Sequence, residues 1–301
     1  MKGDWKRGKE SWLEALRGWA SKHRGRLGQP AIGLALGGGF ARGIAHVGVL
    51  RVFERYQIPV SYLGGVSAGA MVAGAWASGA TSEEIGRIGG SMRFSDVARW
   101  SLSRMGFAAS KPMNNFLRRL LKVYRFEEMK IPLAVVATDL NSGEPVYFRG
   151  QGDVIVPIRA SCSYPGLFQP LEHEGRLLVD GAMSIDIPAA HLRRMGANRV
   201  ISVHLPMQQG EQVAPSNLFQ VVSRCFQIMQ GHTQEQWRRH SDLVIEPDVT
   251  NMEWDSFQSA ERMIEAGEKA ALAAMPKIQS WLGQARSAEI EIAAAPDLHV
   301  A

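Results

Sequence analysis

The sequence predicts an α/β fold, with a mostly parallel central sheet flanked by helices in three layers. Three observations carry that prediction. The apolar run Ile32-Gly33-Leu34-Ala35-Leu36 ends in Gly37-Gly38-Gly39, helical spacing follows from Gly43 to about Arg55, and a second strand-like run at 60–64 leads straight into another helix. Parallel neighbours need a connection long enough to return to the same end of the sheet, so strand, helix, strand, helix in succession marks α/β layering.

The remaining elements follow from apolar runs and their spacing. Strands are expected at 133–138, 145–148, 177–179, 199–204 and 243–245, and helices at 115–123, 154–160, 189–194, 218–230 and 256–273. The segment 56–82 has no charged residue and by length alone could span a bilayer. Its richness in Gly, Ala and Ser, with little Leu, Ile or Phe, points instead to a strand and a small-residue helix inside a domain. Residues 91–113 mix Trp100, Met105 and Phe107 with polar residues, which suits a lid over an apolar site or a packed connector. No repeat or low-complexity linker interrupts the chain. One domain at 29–288 is therefore expected, with an arm at 1–28 and a poorly ordered tail at 289–301.

A 301-residue chain that is 46% hydrophobic, 21% charged and carries 31 glycines has the composition of a globular protein. The two cysteines, Cys162 and Cys225, build neither a disulfide framework nor a zinc site, which makes a reducing compartment the default. No metal or other cofactor is expected. The net charge of +5 raises nucleic acid or an anionic membrane as partners, and its distribution decides between them. Residues 1–28 hold eight Lys/Arg against three Asp/Glu, while the rest of the chain holds 26 of each sign. The excess therefore belongs to the arm, and a basic nucleic-acid groove on the domain is not indicated.

Within the arm, Ser11 and Glu14 have the spacing of a capping box for a helix over 12–23. Trp5, Trp12 and Trp19 share a side with Leu16 and precede Lys22, Arg24 and Arg26. Tryptophan on a basic amphipathic segment fits the headgroup zone of an anionic bilayer; packing on the core or on a second subunit is the alternative. Neither a secretory signal nor a transit peptide is indicated.

Gly65-Val66-Ser67-Ala68-Gly69 falls after a predicted strand and opens a predicted helix, the setting of a G-x-S-x-G nucleophile elbow. The sharp turn needs small neighbours at Gly65 and Gly69, and it lifts the serine hydroxyl clear of the sheet. The loop Gly37-Gly38-Gly39-Phe40-Ala41-Arg42-Gly43 occupies another strand-to-helix junction, where unhindered N–H groups suit an anion. A dinucleotide fingerprint would place glycine at Arg42, and the chain has no P-loop Gly-Lys-Ser/Thr, so an oxyanion is the preferred occupant. Arg42 is expected to pair with an internal acid rather than a substrate phosphate. Asp180, in Leu177-Leu178-Val179-Asp180-Gly181-Ala182, ends an apolar strand; by itself it reads as a turn former before it reads as a base.

In this order the three motifs resemble the patatin-like phospholipase family, especially its bacterial members. The likeness spans about residues 31–275 and includes Arg159-Ala160-Ser161-Cys162-Ser163-Tyr164-Pro165-Gly166 and Ile264-Glu265-Ala266-Gly267. Ala41 is an extra residue relative to the Gly-Gly-Gly-x-Arg-Gly form of plant patatins. The resemblance implies a serine lipid acyl hydrolase with Ser67 as nucleophile and Asp180 as general base. It further implies an oxyanion hole at Gly37, Gly38 and Gly39, with Arg42, Gly43, Gly65, Gly69 and Gly181 supporting the elbow and the motifs. Such a base needs a pKa above the reference carboxylate value, so Asp180 is expected to be desolvated. A Ser-acid-His triad completed by His191, His204, His232, His240 or His299 is the mechanistic alternative, with His204 the best placed. His46 reads as a packed or capping residue. The other readings are a thioesterase or carboxylesterase on the same dyad, or a membrane-associated regulatory protein with a little-used site. The expected setting is cytoplasmic, at the inner face of a membrane.

Overall fold

The computed structural model describes residues 30–206, 218–249 and 259–294; the arm, His299 and the end of the tail lie outside them. The strands are β1 (Ile32–Leu36), β2 (Val60–Val66), β3 (Arg99–Ser103), β4 (Gly106–Ala109), β5 (Leu133–Asp139), β6 (Pro145–Arg149), β7 (Leu171–His173), β8 (Arg176–Asp180), β9 (Arg199–Val203) and β10 (Leu243–Ile245). Helices α1 (Ala45–Arg55), α2 (Ala68–Ala77), α3 (Ser82–Gly90), α4 (Phe94–Val97) and α5 (Met113–Leu120) lie in the first half of the chain. They are followed by α6 (Ile155–Ser161), α7 (Ala189–Met195), α8 (Leu218–Arg238) and α9 (Ala260–Ala294).

Eight strands form one sheet in the order β10-β9-β1-β2-β5-β8-β7, with β6 also paired to β5. From β10 to β5 the pairs are parallel; β6, β7 and β8 join antiparallel. Covered on both faces, β1 is apolar throughout and fully buried. Alternation along the strands sends Leu34, Leu36, Leu63 and Ile201 to one face, where they meet Val49, Leu50 and Phe53 of α1 and Ile264 and Ile278 of α9. Ala35 and Val200 point to the other face, against Leu192 of α7 and Trp237 of α8. Two cores on opposite faces of one sheet make the three expected layers.

The uncharged segment becomes β2 and α2. Ala70, Val72, Ala73, Ala75 and Ala77 of α2 are buried, which a helix apolar on all sides requires. Among the described residues no helix is long and apolar enough to cross a membrane.

Several boundaries differ from the sequence reading. β2 runs to Val66, because Leu63–Val66 pair with β5 while Leu63–Gly65 also pair with β1. A 3-10 turn, Phe40–Ile44, precedes α1 where an α-helix was expected from Gly43. The last helix continues to Ala294, past both the expected end at 273 and the boundary drawn at 288, with Pro276 inside it. Residues 91–113 contain α4 and an antiparallel hairpin, β3–β4, that apolar periodicity did not reveal.

Long α9 is held against α1 by missing side chains. A Cβ on Gly48 would lie 1.9 Å from the Ile264 carbonyl oxygen, and one on Gly267 would lie 2.0 Å from that of Ala45. Arg51 then bridges Glu261 and Glu268, each at 3.1 Å, across the same crossing.

Candidate active site

Ser67 stands between β2 and α2 with φ 53° and ψ −125°, a conformation in which a non-glycine residue is strained by about 1–3 kcal/mol. Its amide donates to Ser161 Oγ at 2.8 Å, and its carbonyl accepts from Ala70 and Met71 at 2.9 and 3.2 Å. These bonds hold the turn, and the flanking glycines make room for it. A Cβ on Gly65 would fall 2.6 Å from Ala70 Cα; on Gly69 it would fall 2.3 Å from the Leu36 carbonyl oxygen, and on Gly43 2.4 Å from Ala68 Cβ.

Asp180 arrives from the antiparallel side of the sheet, at the end of β8. Its Oδ2 accepts the Ser67 hydroxyl at 2.7 Å, and its Oδ1 accepts the Ala182 amide at 3.0 Å. The Asp180 amide donates to the Ser163 carbonyl at 3.0 Å, while its carbonyl accepts Thr138 Oγ1 at 2.9 Å. The following turn fits only glycine, since a Cβ on Gly181 would sit 2.2 Å from the Val136 carbonyl oxygen. The carboxyl is 1% exposed. Burial drives its pKa up to about 7, with nearby Asp186 pushing the same way and the bonds from Ala182 and Ser67 opposing. Desolvation of Asp180 is thus as the sequence led one to expect.

The glycine loop lies beside this pair, a Cβ on Gly38 coming 3.5 Å from Ser67 Cβ. Gly37 is committed elsewhere: its amide donates to the Val203 carbonyl at 3.1 Å, and its own carbonyl accepts His46 Nε2–H at 2.9 Å. Among the described residues the amides of Gly38 and Gly39 have no acceptor. His46 is fully buried, and desolvation lowers its pKa to about 4, so the ring is neutral with its proton on Nε2. The packed reading of His46 understates it, because the ring fixes the backbone next to Gly38. Arg42 departs from expectation: among the described residues it has no acid partner, and its Nη1 donates to the Pro206 carbonyl at 3.5 Å. Burial lowers its pKa.

Among the described residues no histidine bonds Ser67 or Asp180. His204 instead bonds Glu246 through Nδ1 at 3.0 Å and faces Asp186 at 4.0 Å. His191 stacks on Tyr147 at 4.0 Å between ring centroids, and His232 is exposed. A cavity of about 240 Å³ lined by Tyr147, Asp186, His191, Trp237 and His240 touches neither member of the pair. Among the described residues no cluster of three or more His, Cys, Asp or Glu is arranged for a metal.

Sequence reasoning gave no role to Ser161, Cys162 or Thr138. Ser161 Oγ accepts the Ser67 amide, and Thr138 Oγ1 donates to the Asp180 carbonyl. Cys162 is buried beside both partners, and desolvation followed by the Asp180 charge pushes its thiol pKa well up, which keeps it neutral. The only signal for Ser161 and Cys162 was the resemblance of the 159–166 segment, which marks a place and assigns no contact, and Thr138 had only its place in an expected strand.

A serine bonded to a buried carboxyl at the carboxyl ends of the strands, facing a glycine loop, is the arrangement of an acyl-transfer site. Residues 34–193 match the patatin-like phospholipase family model, and the chain belongs to that family. It is 33% identical over 190 residues to an uncharacterized NTE family protein of Mycobacterium tuberculosis, covering 62% of this chain and 51% of that one. It is 30% identical over 215 residues to a lysophospholipase of Emericella nidulans, covering 66% of this chain and 14% of the fungal protein. The chain thus spans about half the length of the bacterial relative and a small part of the fungal one. The crystal structure of VipD from Legionella pneumophila has a similar fold, with a TM-score of 0.55, 13% identity, and coverage of 83% of this chain and 67% of that chain.

Proposed function

We propose that this protein is a serine lipid acyl hydrolase, of phospholipase A or lysophospholipase type, that works through Ser67 and Asp180. The observation that carries the proposal is the 2.7 Å bond from the Ser67 hydroxyl to a buried carboxyl whose pKa is about 7. A base must have a pKa near the working pH to take a proton and then return it, and burial supplies that here. Family membership and the fungal relative's name, lysophospholipase, support the same substrate class.

In the proposed reaction Ser67 Oγ attacks the ester carbonyl carbon as its proton passes to Asp180 Oδ2. The amides of Gly38 and Gly39, aided by the dipole of α2, stabilise the resulting oxyanion, with Gly37 anchoring the loop that carries them. Collapse breaks the ester C–O bond, and Asp180 returns the proton to the leaving alcohol, leaving an acyl-serine. Water then attacks the acyl carbon, giving its proton to Asp180, and the fatty acid departs as Ser67 recovers its hydrogen. Cys162, uncharged, adds no competing charge beside the dyad, and the neutral His46 ring holds the Gly37 carbonyl.

Hydrolysis of a defined panel of phospholipids and lysophospholipids by the wild type and by Ser67→Ala tests the reading. Ester cleavage that survives in the variant overturns it. A fluorophosphonate probe that leaves Ser67 unlabelled in folded protein would favour the regulatory alternative. For the arm, the proposal is peripheral binding to anionic bilayers. Deleting residues 1–28 should then weaken liposome binding most at low salt while sparing soluble-ester hydrolysis; equal sedimentation of both forms would count against it.

A further inference from the structure

The hairpin β3–β4 carries three of the largest exposed apolar side chains on the molecule: Trp100 is 70% exposed, Met105 55% and Phe107 56%. Phe94, itself partly exposed, lies 5.2 Å from the Trp100 ring and extends the patch. Single exposed hydrophobes are ordinary, but four within fourteen residues on one short hairpin and its approach are a surface that water solvates poorly. The same stretch exposes Arg93, Arg99 and Arg104, whereas its acid, Asp96, is paired with Arg119 at 3.1 Å. Aromatic and apolar groups interleaved with arginines that have no acid partner among the described residues complement an anionic lipid surface, in which the rings enter the interface and the guanidinium groups meet phosphates.

The hairpin is also fastened to the catalytic segment. The Ala108 amide donates to the Leu167 carbonyl at 2.8 Å, Gln169 returns a bond to the Ala108 carbonyl at 3.0 Å, and Gln169 Nε2 donates to Ser101 Oγ at 3.1 Å. A Cβ on Gly106 would strike the Phe168 backbone at 2.8 Å, so the two chains lie flush. Earlier on this segment, the Ser163 carbonyl accepts the Asp180 amide and Ser161 Oγ accepts that of Ser67. Tyr164 reaches the glycine loop through Phe40, at 4.8 Å between ring centroids. On its other flank the segment meets α8, by Tyr164 on Phe226 at 5.6 Å, and α8 exposes Val221, Ile228 and Met229.

We propose that the β3–β4 hairpin is a bilayer-docking element, inserting Trp100, Met105 and Phe107 into the interface of an anionic phospholipid membrane and so setting the dyad at the lipid surface. The occupant is lipid rather than a second protein copy because the patch is ringed by cations, which two identical copies would bring into repulsion. The assignment of lipid as substrate rests on the function proposed above; the docking itself is measured separately from turnover.

The test uses the full chain carrying Cys225→Ser, with one environment-sensitive fluorophore placed at Met105→Cys or, as control, at Glu128→Cys, in the turn before β5. Vesicles of phosphatidylcholine with phosphatidylglycerol should shift the emission of the first label to the blue and expose it to quenchers at shallow bilayer depth, leaving the second unchanged. The triple variant Trp100→Ser, Met105→Ser, Phe107→Ser should lose about tenfold or more in vesicle partitioning and keep its hydrolysis of a water-soluble ester. Vesicle-bound protein whose 105 label remains in water overturns the proposal. So does a label already shielded without vesicles in a protein that sediments as a dimer. Repeating the measurement in Ser67→Ala separates the two readings. Insertion without wild-type turnover removes only the hydrolase, and turnover without insertion removes only the docking.

Discussion

Ser67 and Asp180 reach one hydrogen bond by opposite means. Ser67 leaves a parallel strand, β2, whose neighbours β1 and β5 crowd it on both sides. It can present its hydroxyl only by turning sharply, with φ at 53°. Asp180 leaves an antiparallel strand, β8, with an unstrained backbone at φ −49° and ψ 135°, and needs burial instead. Ser67 is thus shaped by backbone strain that glycine neighbours permit, and Asp180 by desolvation that raises its proton affinity. Strain is a property of position, whereas desolvation is a property of a titratable group, and the two fail differently under mutation.

The sharpest break in the comparison is Ser67→Ala, expected to lower kcat by about four orders of magnitude while leaving the thermal midpoint close to that of the wild type. Steady-state turnover beside a melting curve checks both halves. Asp180→Asn should cost about three orders of magnitude in kcat, and its stability should change in the opposite direction from that of most core substitutions. Burial raises this carboxyl from 3.8 to about 7, so the folded chain holds a proton that the unfolded chain releases between those values. That contribution is complete below about pH 4 and lost as the pH rises through about 7. Asp180→Asn should therefore melt higher than the wild type at about pH 8, the advantage fading toward about pH 4. For the same reason kcat/KM of the wild type should climb with pH through about 7, and a profile flat across that range would remove Asp180 as the base.

Gly69→Ala tests the strained side, because its Cβ would meet the Leu36 carbonyl at 2.3 Å. A cost of about 3 kcal/mol or more in chemical denaturation is expected. His46→Phe should have a smaller effect, leaving the Gly37 carbonyl without its buried donor for about 1–3 kcal/mol and reducing kcat about tenfold through the loosened loop. His46→Gln, which can still donate, should recover part of the rate. Smallest of all is His204→Ala, expected to leave turnover within about twofold because its ring serves Glu246. Abolished turnover in a folded His204→Ala protein would restore the triad.

Much of this was legible in the chain. Apolar runs gave β1, β2, β5 and β9, since a strand buried on both faces must be apolar throughout, and the small-residue segment after β2 gave α2. Ser67 and the glycine loop were visible because their strand-to-helix junctions restrict residue type, whereas Asp180 stood out as a base only through the family resemblance. The β3–β4 hairpin was not, because Trp100, Met105 and Phe107 face outward and their hydrophobicity reports no internal packing. Gly267 could be noted but not explained, since its reason is the Ala45 carbonyl of a helix more than two hundred residues earlier.

The sequence by itself determined the order of elements, the α/β layering and which residue types stand at the turns, because local backbone sterics and apolar periodicity act within a few residues. Only the tertiary structure decided that Ser67 and Asp180 share a hydrogen bond, that Gly37 gives its amide to Val203 while Gly38 and Gly39 keep theirs, and that Arg42 has no acid beside it among the described residues. Those outcomes depend on distances between segments far apart in the chain, and a carboxyl's proton affinity depends on everything packed around it, which no stretch of sequence contains.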